Sequence, residues 1–301
     1  MLAFTRLLLF LALTLILLPA QIGVQHFAKG RYKNAVYWIP NLYHRSCCRL
    51  FGIKLVVRGR RRGRLHGKTV AHPETPQPRL IVCNHMSYLD ITVLGSVLPA
   101  SFIAKSEIAG WPLFGLLAKL QNTLFVRRTA TQTGNQLQDL TNRLSQGDTM
   151  ILFPEGTSGD GSRLLPFKSS LFGIINQFTE QPLIIQPVVI NYVACNGLPV
   201  SRNDLPNLAW YGDMSIAGHG WKMLGLGRIH VLVDFLPPLA VTSRDNRKTI
   251  AQQCFQQMNE AYENNSRAWS VVDGIPRRPK KPRHGLFPKT APQEPSPPIS
   301  S

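Results

Sequence analysis

Short apolar runs alternate with amphipathic stretches along most of the chain. The runs are rich in Val, Ile and Leu and predict β-strands at residues 53–57, 79–83, 101–104, 123–126, 150–153, 183–190 and 228–235. The stretches between them predict helices near residues 91–98, 112–120, 131–145, 169–178 and 242–267. This alternation is typical of an α/β fold in which helices cover both faces of a sheet. Pro187 cannot donate to a sheet ladder, which predicts an edge position or a bulge there.

The N-terminal part has a different pattern. Residues 7–20 form an uncharged apolar run behind Arg6, and basic residues without any acidic neighbour follow it. The length lies between that of a signal-peptide core and that of a spanning helix, and basic flanks behind an apolar run resist export. We therefore expect an uncleaved anchor, spanning or re-entrant, that holds the protein at the cytoplasmic face of the inner (cell) membrane.

Residues 31–50 mix apolar, basic and aromatic positions, which suits a helix lying at the headgroup boundary. Tyr37, Trp38 and Tyr43 would be its interfacial aromatics, and Pro40 would kink or end it. An ordinary core helix with charged flanks is the alternative.

The charge distribution divides the chain into three parts. The formal net charge is +18, yet residues 1–73 contain no acidic residue and residues 74–273 are balanced. We expect an anchor and interfacial helix at residues 1–50, a single domain at 51–273, and a disordered, basic, Pro-rich tail at 274–301. The five cysteines show neither a disulfide framework nor a zinc spacing, so we expect no metal and a reducing compartment.

The basic residues indicate an acidic partner. An anionic membrane surface would attract them, and an apolar anchor fits that interpretation. The alternative is nucleic acid, for which the clusters at residues 58–68 and 277–283 are suggestive. Because finger spacing, RNP-like aromatic strands and heptads are missing from the sequence, we expect no nucleic acid. A non-enzymatic basic binding protein is nevertheless kept as the hypothesis from another class.

A polar cluster interrupts the apolar residues between the second strand and the next helix. It contains Asn84, His85, Ser87 and Asp90, and sites in α/β sheets lie beyond the carboxyl ends of strands. On one regular helix, His85 and Asp90 would point about 140° apart. They can meet only if a turn carries His85 and the helix begins near Asp90. The carboxylate would then orient the imidazole as a general base, and a substrate alcohol would supply the nucleophile.

A second cluster follows the strand near residue 150. Gly156, Gly159 and Gly161 open the backbone, and Arg163 and Lys168 add positive charge. Backbone N–H groups and basic side chains in this arrangement suit an anion. A long hydrophilic turn is the simpler alternative.

The ordered set of motifs resembles the 1-acylglycerol-3-phosphate acyltransferase family over roughly residues 50–240. The set comprises N-H-x-x-x-x-D from residue 84, F-V-x-R from residue 125, F-P-E-G-T from residue 153, and an apolar strand with Pro187. The resemblance implies a single α/β domain with a mostly parallel mixed sheet. It also implies acyl transfer from acyl-CoA or acyl carrier protein to lysophosphatidic acid, which gives phosphatidic acid.

The resemblance assigns roles by position. It implies that His85 is the general base and Asp90 its partner, and that Arg128 contacts the acceptor phosphate. Further substrate contacts would come from the third motif and the basic residues after it, namely Glu155, Gly156, Thr157, Ser158, Arg163 and Lys168. A bound cofactor is not expected, because a thioester is already an activated donor.

One position departs from the family pattern. Members carry Arg directly after the motif threonine, and this chain has Ser158, so Arg163 or Lys168 would have to substitute. The departure keeps a second acceptor open, the lyso-ornithine lipid of related bacterial acyltransferases. Its acceptor hydroxyl lies on an acyl chain and its headgroup is zwitterionic.

Overall fold

The computed structural model describes residues 1–27, 36–59, 77–126, 133–268, 271–272 and 275–276. The helices are α1 (Leu2–Phe27), α2 (Trp38–Leu50), α3 (Leu89–Val97), α4 (Phe114–Leu120), α5 (Thr133–Ser145), α6 (Leu205–Leu208), α7 (Ile216–Gly225) and α8 (Arg247–Ala268), with 3-10 helices at Ser106–Gly110 and Ser169–Gln177. The strands are β1 (Ile53–Gly59), β2 (Arg79–Cys83), β3 (Ser101–Lys105), β4 (Leu124–Val126), β5 (Thr149–Leu152), β6 (Leu183–Cys195), β7 (Leu198–Pro199), β8 (Ile229–Phe235), β9 (Leu239–Val241), β10 (Val271–Val272) and β11 (Ile275–Pro276).

Every predicted strand run forms a strand, and all seven join one sheet in the order β1-β8-β6-β2-β5-β3-β4. The pairs β1–β8, β2–β5, β2–β6, β3–β5 and β3–β4 are parallel. Strands β7, β8 and β9 pair antiparallel with β6. The expected mostly parallel mixed sheet is therefore confirmed, and the parallel strands β2 and β5 direct their carboxyl ends toward the same edge.

Pro187 occupies a central strand, so the expected edge position is wrong. It pairs with Val82 on one side of β6. On the other side it falls between the β9 pairing, which reaches Ile185, and the β8 pairing, which begins at Val188. The neighbouring chain changes strand at this point, so the missing N–H of proline interrupts no ladder. The register shift of β6 lies farther along, between Tyr192 and Ala194.

Two apolar cores cover the two faces of the sheet. Residues of β2 alternate between them: Ile81 and Cys83 belong to the core with α2, α3 and α7, and Leu80 and Val82 belong to the core with α5 and α8. This is the doubly covered arrangement that near-continuous apolar strands predict.

Helix α1 is long and apolar enough to cross a membrane by length and composition. One side of it carries polar residues that bind the body of the protein. Arg6 donates hydrogen bonds to Leu224 O and Gly227 O, at 3.1 Å each. The Thr14 hydroxyl lies 3.0 Å from the Tyr43 hydroxyl, and Gln21 donates to Leu120 O at 2.8 Å.

The opposite side of α1 exposes large apolar residues, namely Leu2, Phe4, Leu8, Leu9, Leu11, Leu15, Ile16, Ile22 and Phe27. On α2, Trp38 and Leu42 are exposed as well. Pro40 neither kinks nor ends α2, because the helix begins only two residues before it and proline is tolerated in a first turn.

Other predictions differ in detail or fall elsewhere. The helix expected at residues 169–178 is a 3-10 helix, and α6 and α7 were not predicted. The short strands β10 and β11 pair antiparallel. The rest of the predicted tail, from residue 277 on, and the basic cluster at residues 60–68 lie outside the described residues.

Candidate active site

The turn that joins β2 to α3 brings His85 and Asp90 together. His85 Nδ1 lies 2.9 Å from Asp90 Oδ2. Strand β2 ends at Cys83 and α3 begins at Leu89, so His85 stands on a turn and Asp90 in the first helical turn. This is the geometry that the five-residue spacing requires for the two side chains to meet. We call residues 84–88 the catalytic turn.

Asp90 is fully buried, and both of its oxygens are hydrogen-bonded. Oδ2 accepts the backbone N–H groups of Met86 and Ser87 at 2.8 and 2.9 Å, besides its contact with His85. Oδ1 accepts the hydroxyl of Tyr192 at 2.8 Å. These four contacts hold the buried carboxylate in a fixed orientation beside the imidazole.

The His85 ring is oriented by packing as well as by Asp90. It stacks on Phe153 with ring centroids 4.1 Å apart and planes 18° apart. Its side chain is 19% exposed, whereas that of Asp90 is 0% exposed. With Nδ1 turned to Asp90, Nε2 is the ring atom available to a substrate hydroxyl. The pair can act as an oriented general base.

The side chain of Asn84 ties the catalytic turn to the central strand β6. Its Nδ2 donates to Ile190 O at 3.0 Å, and its Oδ1 accepts Ile190 N at 2.8 Å. The amide thus continues the β2–β6 ladder for one more residue after the strand has ended. The central sheet therefore fixes the backbone position directly before His85.

The loop after β5 holds the peptide of His85 from the other side. We call residues 154–168 the glycine loop. Glu155 Oε1 accepts His85 N at 3.2 Å, and Gly159 N donates to His85 O at 2.9 Å. Farther along, Tyr262 of α8 donates to Gly161 O at 2.6 Å. A side chain at Gly161 would collide with Met86, since a Cβ there would lie 2.6 Å from its Cε.

Glu155 is buried, with 3% of its surface exposed. Burial raises the pKa of its carboxyl to about 8, against the lowering effect of the hydrogen bond from the His85 N–H. The resemblance implied a substrate contact for this residue. In the structure its carboxylate faces the catalytic turn, where it supports the His85 backbone.

The remaining predicted contacts lie along the glycine loop. Thr157, Arg163 and Lys168 are exposed, and Ser158 is half-buried. Gly156 has φ +68°, and a Cβ there would lie 2.9 Å from Lys168 Nζ, so the ammonium stands directly over this glycine. Arg128 lies outside the described residues, and its phosphate contact stays a prediction.

Two features of the site were not found from the sequence. Tyr192 is 102 residues from Asp90 and lies on a different element, so no local pattern connects them. The Tyr88 hydroxyl lies 2.9 Å from His219 Nδ1, and Trp210 packs against both Tyr88 and Trp111. This aromatic group borders the catalytic turn, because Trp210 N donates to Met86 O at 2.8 Å.

All the comparisons with known proteins identify acyltransferases. A model of the acyltransferase family matches residues 63–191. The lyso-ornithine lipid O-acyltransferase of Brucella abortus is 39% identical over 80% of this chain and 86% of its own length, and that of Rhizobium meliloti is 36% identical over 79% and 80%. The 1-acyl-sn-glycerol-3-phosphate acyltransferase of Neisseria gonorrhoeae is 29% identical over 54% of this chain and 61% of its own length.

A solved structure shares the fold. The crystal structure of the 1-acyl-sn-glycerophosphate acyltransferase PlsC from Thermotoga maritima matches 90% of this chain and 100% of its own, with a TM-score of 0.58 and 19% identity.

Proposed function

Because this chain belongs to the glycerolipid acyltransferase family, whose members esterify lysolipids, we propose that it transfers a fatty acyl group to the hydroxyl of lyso-ornithine lipid with His85 as the general base. The observation that carries the chemistry is the 2.9 Å contact between His85 Nδ1 and Asp90 Oδ2. The acyl donor is a thioester of coenzyme A or of acyl carrier protein. The resting site needs no bound cofactor, since the thioester is already activated.

The reaction follows from the orientation of His85. The acceptor hydroxyl gives its proton to Nε2 while its oxygen attacks the thioester carbonyl carbon. Asp90 stabilises the imidazolium that forms. Collapse of the tetrahedral intermediate breaks the carbon–sulfur bond, and the imidazolium returns the proton to the departing thiolate. The products are the esterified lipid and a free thiol, and general-base catalysis of this kind contributes about 10² to 10⁴ in rate.

Two observations support lyso-ornithine lipid as the acceptor. The relatives that match most of this chain at 36% and 39% identity carry that name. In addition, Ser158 occupies the position where, by the family resemblance, members usually carry Arg. An ornithine headgroup presents a carboxylate and an ammonium group instead of a phosphate. The exposed ammonium of Lys168 and the guanidinium of Arg163 suit that carboxylate.

Lysophosphatidic acid is the second candidate. A relative of that specificity matches at 29% identity over 54% of this chain, and Arg128 matches the arginine to which the family resemblance gives the phosphate contact. Both acceptors use the same His85 chemistry, so the candidates differ in the headgroup and in the position of the acceptor hydroxyl.

We further propose that the protein works at the cytoplasmic face of the inner membrane. The exposed apolar side of α1 and the exposed Trp38 of α2 support membrane contact, and the net charge of +18 favours an anionic surface. An acceptor with one chain in the bilayer would then meet the site without leaving the membrane.

The test is acyl transfer by the full chain in detergent micelles, with a labelled acyl thioester and with the two lysolipids offered in parallel. We expect label in ornithine lipid, none with His85→Ala, and wild-type turnover with His26→Ala as the matched histidine control. Label only in phosphatidic acid would make lysophosphatidic acid the acceptor. If neither lipid is labelled by folded protein with either donor, or if His85→Ala keeps its activity, the proposed chemistry is wrong.

A further inference from the structure

We propose that Tyr192 is a positioning residue of the catalytic pair: its hydroxyl fixes Asp90 and limits the proton affinity that Asp90 confers on His85. The inference rests on the proposed function, because it concerns the same base. It adds a third side chain, from strand β6, to the pair that the sequence predicts. The motifs that carry the family resemblance do not include this tyrosine.

The two oxygens of Asp90 have different partners. Oδ2 is shared by His85 Nδ1 and two backbone N–H groups of the catalytic turn. Among the described residues, Tyr192 is the hydrogen-bond donor to Oδ1. Asp90 and Tyr192 are both buried, so water does not replace a lost donor without rearrangement. The hydroxyl therefore sets how the carboxylate is rotated and how much of its charge is directed at the histidine.

The backbone of β6 is shaped to deliver this side chain. Val188, Ile190 and Tyr192 alternate onto the face of the sheet that packs against α3. Directly after Tyr192 the register against β8 shifts, so that Tyr192 pairs with Val231 and Ala194 with His230. Bulges are frequent next to active sites, where they re-aim side chains. Here the irregularity begins immediately after the last residue that reaches Asp90.

A second contact joins the same strand to the catalytic turn. Ile190, two residues earlier, is bonded on both its N–H and its carbonyl to the Asn84 side chain. Strand β6 is thus bonded to the start of the catalytic turn through Asn84 and, just beyond the turn, to Asp90 of α3. The sheet fixes the position of Tyr192, and the Tyr192 hydroxyl in turn orients the carboxylate of Asp90.

The hydroxyl acts as a donor. Burial, and then the charge of Asp90, hold the pKa of Tyr192 well above its ordinary value, so the phenol stays protonated. A donated hydrogen bond stabilises the charge of Asp90 and makes the carboxylate a weaker partner for an imidazolium. Without it, His85 would bind its proton more tightly and remain protonated, and therefore inactive as a base, up to a higher pH.

Other titratable groups surround the pair, and the experiment must keep them unchanged. Glu155 faces it from the glycine loop, Cys83 from β2, Cys48 from α2 and Tyr262 from α8. Tyr192→Phe alters none of these side chains and removes a single oxygen from the core. It is the smallest change that separates the hydroxyl from the packing of the ring.

The experiment measures kcat and KM against pH for the wild type, Tyr192→Phe and a control, Tyr43→Phe, all in detergent micelles. The control Tyr43→Phe also removes a half-buried hydroxyl, but that hydroxyl forms its hydrogen bond with Thr14 of α1. We expect Tyr192→Phe to lower kcat about tenfold to a hundredfold with KM nearly unchanged. The acid limb of kcat/KM should move up by roughly half a pH unit to one pH unit. Tyr43→Phe should change neither.

A second readout does not require turnover. NMR titration of the His85 ring protons, assigned by their loss in His85→Ala, should show a midpoint at higher pH in Tyr192→Phe than in the wild type. An unshifted midpoint together with an unshifted acid limb would overturn the proposal, even if the variant were less stable. If wild-type protein transfers no acyl group but the midpoint still shifts, the proposed function fails while the link from Tyr192 through Asp90 to His85 stands.

Discussion

The carboxylate of Glu155 and the backbone N–H of His85 form a hydrogen bond of 3.2 Å between two loops that lie 70 residues apart in the chain. The glycine loop also donates Gly159 N to the carbonyl of His85. The glycine loop thus hydrogen-bonds to both the backbone N–H and the backbone carbonyl of His85, the proposed base. The position of the base depends on how this loop is folded as much as on Asp90.

This contact predicts an unusual dependence of stability on pH. The pKa of Glu155 is raised from 4.5 to about 8, mainly by burial. Folding therefore takes up a proton between these two values, so the contribution of Glu155 to the free energy of unfolding is greatest below pH 4.5 and decreases as the pH rises toward 8. Glu155→Gln keeps an acceptor for His85 N but cannot ionise.

Relative to the wild type, Glu155→Gln should therefore gain about 2 to 4 kcal/mol in free energy of unfolding between pH 5 and pH 8. Chemical denaturation in micelles at several pH values measures the difference. Glu180→Gln, at an exposed position, serves as the control and should show no such trend. A parallel pair of curves for Glu155→Gln and the wild type would contradict the prediction.

His85 and Asp90 should respond differently to substitution. His85→Ala should remove at least two orders of magnitude of kcat and lower the free energy of unfolding less than Asp90→Asn does, because the His85 side chain is 19% exposed whereas that of Asp90 is 0% exposed. Asp90→Asn should lose comparable activity and also about 2 to 4 kcal/mol of stability. An amide accepts at only one atom, and Tyr192 or the turn N–H groups would lose their acceptor.

Activity and thermal unfolding of the two variants test this contrast directly. Equal stability of Asp90→Asn and the wild type would mean that the buried acceptor is not needed by its four donors.

Lys168 should contribute to acceptor binding more than to chemistry. Its ammonium stands over Gly156 on the exposed side of the glycine loop. Lys168→Ala should raise KM for the proposed ornithine acceptor about threefold to tenfold and leave kcat within twofold, since an exposed charged contact is worth about 1 kcal/mol. Lys248→Ala, an exposed lysine of α8, is the control. A fall in kcat without a change in KM would assign Lys168 to the reaction step instead.

Arg6 should fasten α1 to the rest of the protein. Its guanidinium binds the carbonyls of Leu224, Leu226 and Gly227, where helix α7 ends and its last carbonyls lack helical partners. Arg6→Met keeps the apolar stem and should lower the free energy of unfolding by about 2 kcal/mol. Limited proteolysis in micelles should then cut α1 faster than in the wild type or in Thr5→Ala. Equal cleavage rates would show that α1 is held without the arginine.

The pattern of apolar residues was sufficient to predict seven strands of the main sheet, because buried strands leave continuous runs of Val, Ile and Leu, but not the short strands β7 and β9. It was also sufficient for the meeting of His85 and Asp90, since a strand end and a helix start were visible on either side. Helix α7 was missed because three glycines at positions 218, 220 and 225 mask its helical pattern, and it is stabilised by packing against α1.

Contacts between segments that are distant in the chain could not be predicted from the sequence. Glu155 is an ordinary acid in an apparently hydrophilic loop until the fold buries it against His85. Arg6 resembles the basic flank of an apolar run, yet it is 9% exposed and bonded to α7. In both cases the decisive partner lies on an element that folding brings near, and local spacing carries no trace of it.

In the proposed membrane-bound state, the polar side of α1 would determine how the protein lies on the bilayer. Polar residues from Arg6 to Gln25 hydrogen-bond to the rest of the protein along nearly the whole helix. Helix α1 is therefore fixed to the body and is not a flexible tether. With its apolar side in the lipid, the height of His85 above the membrane would be set by the fold. Hydroxyl groups at one depth of the lipid layer would come within its reach, and those lying deeper would not. Selection among lysolipids would then begin with where the acceptor oxygen lies, before any headgroup is recognised.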